Sequence, residues 1–245
     1  MRLRLSLRGL TAAAALILLI ALLSGCGGGS SSSSSSSSSD NGVADKSPAD
    51  ILAATKVASD AANTVHVSGS IVSDGSPITL DMNLLAGKGG RGQLSESGLA
   101  FELIQVGKTV YIKGSPAFYK KIGGTAAAQL LQGKWLKAPA SNSDFASLSQ
   151  LTDLRQLVDQ TLSNHGSSLT KTGTSTVNGQ KVVGIADKSK GGTLYIAATG
   201  QPYPVQIVKT GSSGGKITFD RWNSSVTLAA PANAIDVAQL QHAGQ

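Results

Sequence analysis

Hydrophobic and polar positions change their period several times along the chain. Residues 10–23 are a nearly unbroken run of Leu, Ile and Ala behind Arg2, Arg4 and Arg8. This positive leader and short apolar stretch falls below the ~20 apolar residues of a spanning helix. It predicts an export signal over residues 1–25. Gly and Ser then fill most of residues 27–42, which leaves nothing to bury and predicts a flexible tether over 26–46. The folded domain is expected over 47–245. Ser47 can cap a helix, Pro48 fits its first position and Asp50 complements its dipole. Ile51, Leu52, Thr55, Ala58, Ala62 and Val65 follow at helical spacing.

After Val65 the period falls to two. Strands are predicted at 65–73, 77–86, 91–97, 99–106, 108–113, 134–138, 169–177, 180–187, 192–198, 203–210 and 215–222. Turn signals such as Asp74-Gly75, Asn178-Gly179 and Gly200-Gln201-Pro202 separate them. Helical pieces interrupt at 116–119 and 126–131. Residues 144–164 carry an amphipathic stripe of Leu148, Leu151, Leu154, Leu157, Val158 and Leu162. The pattern predicts an α+β fold, an antiparallel sheet of eleven short strands, strongly curved or partly closed, with helices lying across its concave side. The competing arrangement is a closed barrel with helices on its outside.

Composition narrows the chemistry. One Cys and three His exclude a disulfide framework and a Cys-rich zinc site within one chain. Aromatic residues make up 4% of the chain, which leaves few stacking platforms. The net charge of +7 owes three arginines to residues 1–25, and what remains is 18 Lys and Arg against 14 Asp and Glu, or +4. With no dense basic stripe, nucleic acid is not an expected partner.

Two motifs match catalytic patterns by letter alone. Gly87-Lys88-Gly89-Gly90-Arg91-Gly92 fits G-x-G-x-x-G, but the alternation after it predicts a strand where a nucleotide site needs a helix. Gly211-Ser212-Ser213-Gly214-Gly215 fits G-x-S-x-G, yet a strand also follows it, which suits a hairpin. His66, His165 and His242 have no partner at metal-ligand spacing. A hydrolase would need one of them beside a serine hydroxyl and an acid. Asp144, Asp153 and Asp159 suit caps or a solvated face. Lys120-Lys121 beside Phe118-Tyr119 reads either as a membrane-contacting lip or as an exposed loop. No cofactor is implied.

The leader ends in Leu23-Ser24-Gly25-Cys26, which resembles the bacterial lipobox, where the cysteine is diacylated and becomes the new N-terminus. Each buried methylene contributes about 0.8 kcal/mol, so two or three chains on Cys26 would hold the protein on a membrane durably. Several strings extend the likeness. They are Val106-Gly107-Lys108-Thr109-Val110-Tyr111-Ile112-Lys113, Gly133-Lys134-Trp135-Leu136, Gly200-Gln201-Pro202-Tyr203-Pro204-Val205-Gln206-Ile207, and Ile217-Thr218-Phe219-Asp220-Arg221-Trp222-Asn223. With the tether and capped helix, their order resembles the mycobacterial LppX/LprA/LprF/LprG lipoproteins, which share the LolA/LolB-like fold of lipoprotein sorting. This resemblance implies an open antiparallel half-barrel of about eleven strands with helices covering its concave face. The resemblance implies an apolar cavity between sheet and helices, holding acyl chains of a lipid, glycolipid or lipoprotein for transport without catalysis. It further implies anchorage through Cys26 on the extracytoplasmic face of the cell membrane, and an envelope transporter or acceptor protein as partner.

Candidate lining residues are apolar members of the elements expected to face one another: Phe101, Leu103, Tyr111, Leu154, Val158, Leu194 and Ile196. A one-residue register shift would turn any strand member to the other face. The alternative function is a cargo-free interaction or scaffold lipoprotein.

Overall fold

The structure, a computed structural model, describes residues 39–73, 75–143 and 145–243. The export signal over 1–25, Cys26 and most of the tether lie outside the described residues, as do Asp74 and Asp144. Ser47 caps helix α1 (Pro48–Asp60), its Oγ accepting from the Asp50 amide at 3.2 Å. α1 turns Ile51, Thr55 and Ala58 inward, and Ala62 is buried just beyond it.

A meander follows: β1 (Thr64–Ser73), β2 (Ser76–Leu85), β3 (Gly89–Glu96), β4 (Leu99–Val106) and β5 (Thr109–Gly114). Helix α2 (Pro116–Leu131) leads to β6 (Leu136–Pro139), then α3 (Ala146–Gln150) and α4 (Leu154–Ser163). A second meander contains β7 (Leu169–Val177), β8 (Gln180–Asp187), β9 (Thr193–Ala197), β10 (Pro204–Lys209) and β11 (Gly215–Asp220). The chain closes with β12 (Ile235–Asp236) and α5 (Val237–Ala243).

β11 returns to pair with β1, which joins the meanders into one open sheet ordered β12-β6-β5-β4-β3-β2-β1-β11-β10-β9-β8-β7. Every pairing is antiparallel except β12 with β6. At the join, Gly69 has φ 147°, and a Cβ there would lie 2.0 Å from the Lys216 carbonyl oxygen. Only glycine lets the two backbones approach so closely.

Helices cover one face of this α+β sheet. α4 lays Leu154, Val158 and Leu162 across the β1–β6 half, on a buried cluster that includes Val65, Val67, Met82, Leu84, Leu103, Val110 and Ile112. Phe145 and Phe219 complete it. Over the other half, Ile51 of α1 and Val43 pack on Val183, Ile185, Ile196 and Ala198. Lys56 ties the two helices, pairing with Asp159 of α4 as well as with Asp60 of its own helix. The strand pairings and the buried core residues all lie between Val43 and Asp236, so this unit carries its own core.

Three expectations need revision. The helical pieces at 116–119 and 126–131 join as α2, broken only at Gly124 (φ 75°, ψ −172°). The stripe over 144–164 divides into α3 and α4 because Asp153 caps a new start, accepting from the Gln156 amide at 3.1 Å. A twelfth strand, β12, spans two residues, too few to show any period.

Candidate functional site

Alternation in the second meander sets up the site. Ile185 on β8 pairs with Leu194 on β9, and Leu194 pairs with Ile207 on β10, so the three share the helix-bearing face. Above them stand Leu52 of α1 and Leu157 and Leu162 of α4. Between sheet and helices lies a cavity of about 380 Å³ lined by these six, with Leu169 beside them. A groove of about 480 Å³ between α1 and α4 shares Leu52, Leu162, His165 and Leu169 with it. Seven side chains of its wall are apolar, and Gln160, Thr161, Asn164, His165, Asp187, Lys190, Thr193 and Lys209 supply polar groups beside them.

Hydrogen bonds fasten two loops near these polar groups. Asp187 accepts from the Ser189 hydroxyl at 2.6 Å, the Gly166 amide at 2.6 Å and the Lys190 amide at 3.0 Å. Lys190 Nζ donates to Asn164 Oδ1 at 2.8 Å, tying the loop after α4 to the β8–β9 turn. The Ser189 hydroxyl and then these amides hold the Asp187 carboxyl far below its ordinary value of 3.8. A depressed carboxyl stabilises the fold fully above its ordinary value and loses that contribution as pH falls below it. Amide exchange at Gly166 and Lys190 is therefore expected to stay slow at neutral pH and to quicken below about pH 4 relative to core amides. Asp187→Asn should show the fast exchange at every pH. Equal protection in variant and parent would contradict the tie.

No family model matches the sequence, and no curated protein matches it. Solved structures do. The chain is similar to two mycobacterial proteins, LprF and the lipoprotein LppX. LprF from Mycobacterium bovis aligns at 18% identity and a TM-score of 0.49, covering 75% of this chain and 96% of its own. LppX from Mycobacterium tuberculosis aligns at 20% identity and a TM-score of 0.49, covering 75% of this chain and 100% of its own. A LolA superfamily protein from Nitrosomonas europaea aligns at 7% identity and a TM-score of 0.25, covering 73% of this chain and 94% of its own.

The structure distributes the seven candidate lining residues over several places. Leu194 lines the cavity. Phe101 lines a separate groove of about 370 Å³ beside β2–β5, its ring 5.3 Å from that of Phe118. Leu103, Leu154 and Val158 lie in the core under the β1–β6 half, and Ile196 in the cluster under α1. Tyr111 lies on the opposite face, because its neighbours Val110 and Ile112 are the inward members of β5. Leu52, Leu157, Leu162 and Leu169, with Ile185 and Ile207, complete the wall. Leu52, Leu157 and Leu162 already stood in the helical stripes, and Ile207 in the Gly200 string.

The alternative chemistries find these surroundings. Gly87 and Gly211 sit in turns between β2 and β3 and between β10 and β11, with a strand after each. His66 lies on the outer face between two carboxylates, Nδ1 2.6 Å from Asp220 Oδ1 and Nε2 3.1 Å from Asp81 Oδ1. His165 Nδ1 lies 2.8 Å from the Gly166 carbonyl. His242 lies outside the described side chains. Among the described residues, neither His66 nor His165 has a serine hydroxyl as hydrogen-bond partner.

Proposed function

We propose that the protein is a lipid-anchored carrier of the cell envelope that holds an acyl chain between its half-barrel and helices and hands it on without catalysis. Residues 1–25 would direct export, Cys26 would be acylated on the extracytoplasmic face, residues 26–46 would form the tether, and 47–245 would bind the lipid. The observation that carries the reading is the cavity walled by Leu52, Leu157, Leu162, Ile185, Leu194 and Ile207, with polar groups set among these side chains. A wall that joins an apolar cluster to polar groups suits an amphiphile, with the chain against the former and the head against the latter. At about 380 Å³ it sits low in the usual 300–1,000 Å³ range of small-molecule sites. The adjoining groove, sharing four side chains with it, offers room to extend.

The energetics suit exchange with a bilayer. Moving a sixteen-carbon chain out of water recovers about 12 kcal/mol at 0.8 per methylene. A cavity that matches this makes transfer nearly thermoneutral, while one that falls short leaves the lipid in the membrane. An environment-sensitive fluorescent fatty acid is expected to bind at about one per chain, and palmitate to displace it. A protein that leaves the probe in water would contradict the reading. That outcome would favour a cargo-free scaffold, for which the filled core under β1–β6 is the supporting observation.

A further inference from the structure

The lysines are unevenly placed. Residues 103–143 hold Lys108, Lys113, Lys120, Lys121, Lys134 and Lys137 and no acid, whereas the rest of the chain beyond residue 25 holds twelve Lys and Arg against fourteen Asp and Glu. This run contains β5, α2 and β6, at the end of the sheet that β12 closes. Lys113 pairs with Glu102 at 2.5 Å. Among the described residues, none of the other five makes an ion pair.

α2 raises apolar side chains in the same place. Ile122 is 61% and Leu130 54% exposed. In the first part of the same helix Tyr119 is fully buried, its hydroxyl accepting from the Gly114 amide at 2.9 Å and donating to the Lys134 carbonyl at 3.2 Å. The break at Gly124 interrupts the helix, and residues 120–126 are all exposed. The aromatic pair suggested by the sequence thus anchors the helix, and Ile122 and Leu130 project instead.

Acids do stand at this end of the sheet, Glu102 paired with Lys113 and Asp236 opposite Lys137 in the β12–β6 register. Lys120 and Lys121 of α2, however, make no ion pair among the described residues, and with the exposed aliphatic side chains they are complementary to a surface that is anionic outside and apolar beneath. We infer that α2 docks the domain on an anionic bilayer, with Ile122 and Leu130 entering the headgroup layer and Lys120 and Lys121 meeting lipid phosphates. This contact is separate from acylation and from the cavity.

The test uses residues 26–245 with Cys26→Ser, so that no acyl group is present, and sedimentation with vesicles. Binding is expected with phosphatidylcholine containing about 30% phosphatidylglycerol, little with phosphatidylcholine alone, and a steep loss on adding salt. Lys120→Gln with Lys121→Gln should weaken it about thirtyfold, since each lysine near such a surface contributes about a factor of five. Ile122→Ser with Leu130→Ser should weaken it about tenfold. All four positions are exposed, so the melting curves should match the parent's. Lys188→Gln with Lys216→Gln, both exposed and far along the chain from α2, should leave vesicle binding unchanged. Equal binding to both vesicle types, no binding to either, or binding that survives both α2 variants would overturn the inference. So would association through α2 with an acidic protein but with neither vesicle.

Discussion

Leu154→Ala is expected to lower the free energy of unfolding by about 3 kcal/mol, within the 2–5 kcal/mol seen for large-to-small changes in packed cores. Leu154 is fully buried at the start of α4, in one cluster with Leu84, Leu103 and Val110 of the sheet. Asp153 fixes the helix start just before it, so the helix has little freedom to sink into the space left behind. Leu157, three residues further on, lines the cavity and is only partly buried. Leu157→Ala should cost about 1 kcal/mol, because it enlarges an existing space. Urea unfolding of both variants checks this, the midpoint shifting at constant slope. Similar small losses for both would mean that the β1–β6 half is hollow.

That contrast marks how far the sequence could be read. The capped start at Ser47, the two meanders and the stripe of Leu154, Val158 and Leu162 were legible because caps and periods of two and 3.6 are local properties. Tyr111 shows the first limit. In Val110-Tyr111-Ile112 every residue is apolar or amphipathic, so alternation could not say which face the ring takes, and the register with Leu103 and Ile104 decides it. Leu103 and Leu194 show the second. Both are inward apolar members of strands, yet Phe145, Phe219 and α4 fill the space over Leu103, while over Leu194 the packing of α1 and Val43 leaves part of the space open. Pattern reports a side chain's face, whereas the distance to what stands opposite is set by tertiary packing. The β12 pairing, two residues long and parallel, left no local signal.

Leu194→Arg is expected to reduce acyl-chain capture at least tenfold. Leu194 pairs across the sheet with Ile185 and Ile207 at the floor of the cavity, so a longer cationic side chain would occupy the volume and set a charge against the hydrocarbon. Leu194 also packs against both large clusters, and Leu157→Arg on the opposite wall therefore serves as an independent block with less demand on the sheet. Leu103 cannot serve this purpose, since it is fully buried in the filled half and a polar residue there would unfold the domain.

The most direct measurement is native mass spectrometry of residues 41–245, expressed in bacteria and purified without detergent, with organic extraction of whatever is bound. One lipid or fatty acid per chain is expected in the parent, and none in folded Leu194→Arg or Leu157→Arg protein. A parent that is lipid-free and takes up no added fatty acid, or folded cavity variants that retain the parent's lipid, would contradict the carrier reading.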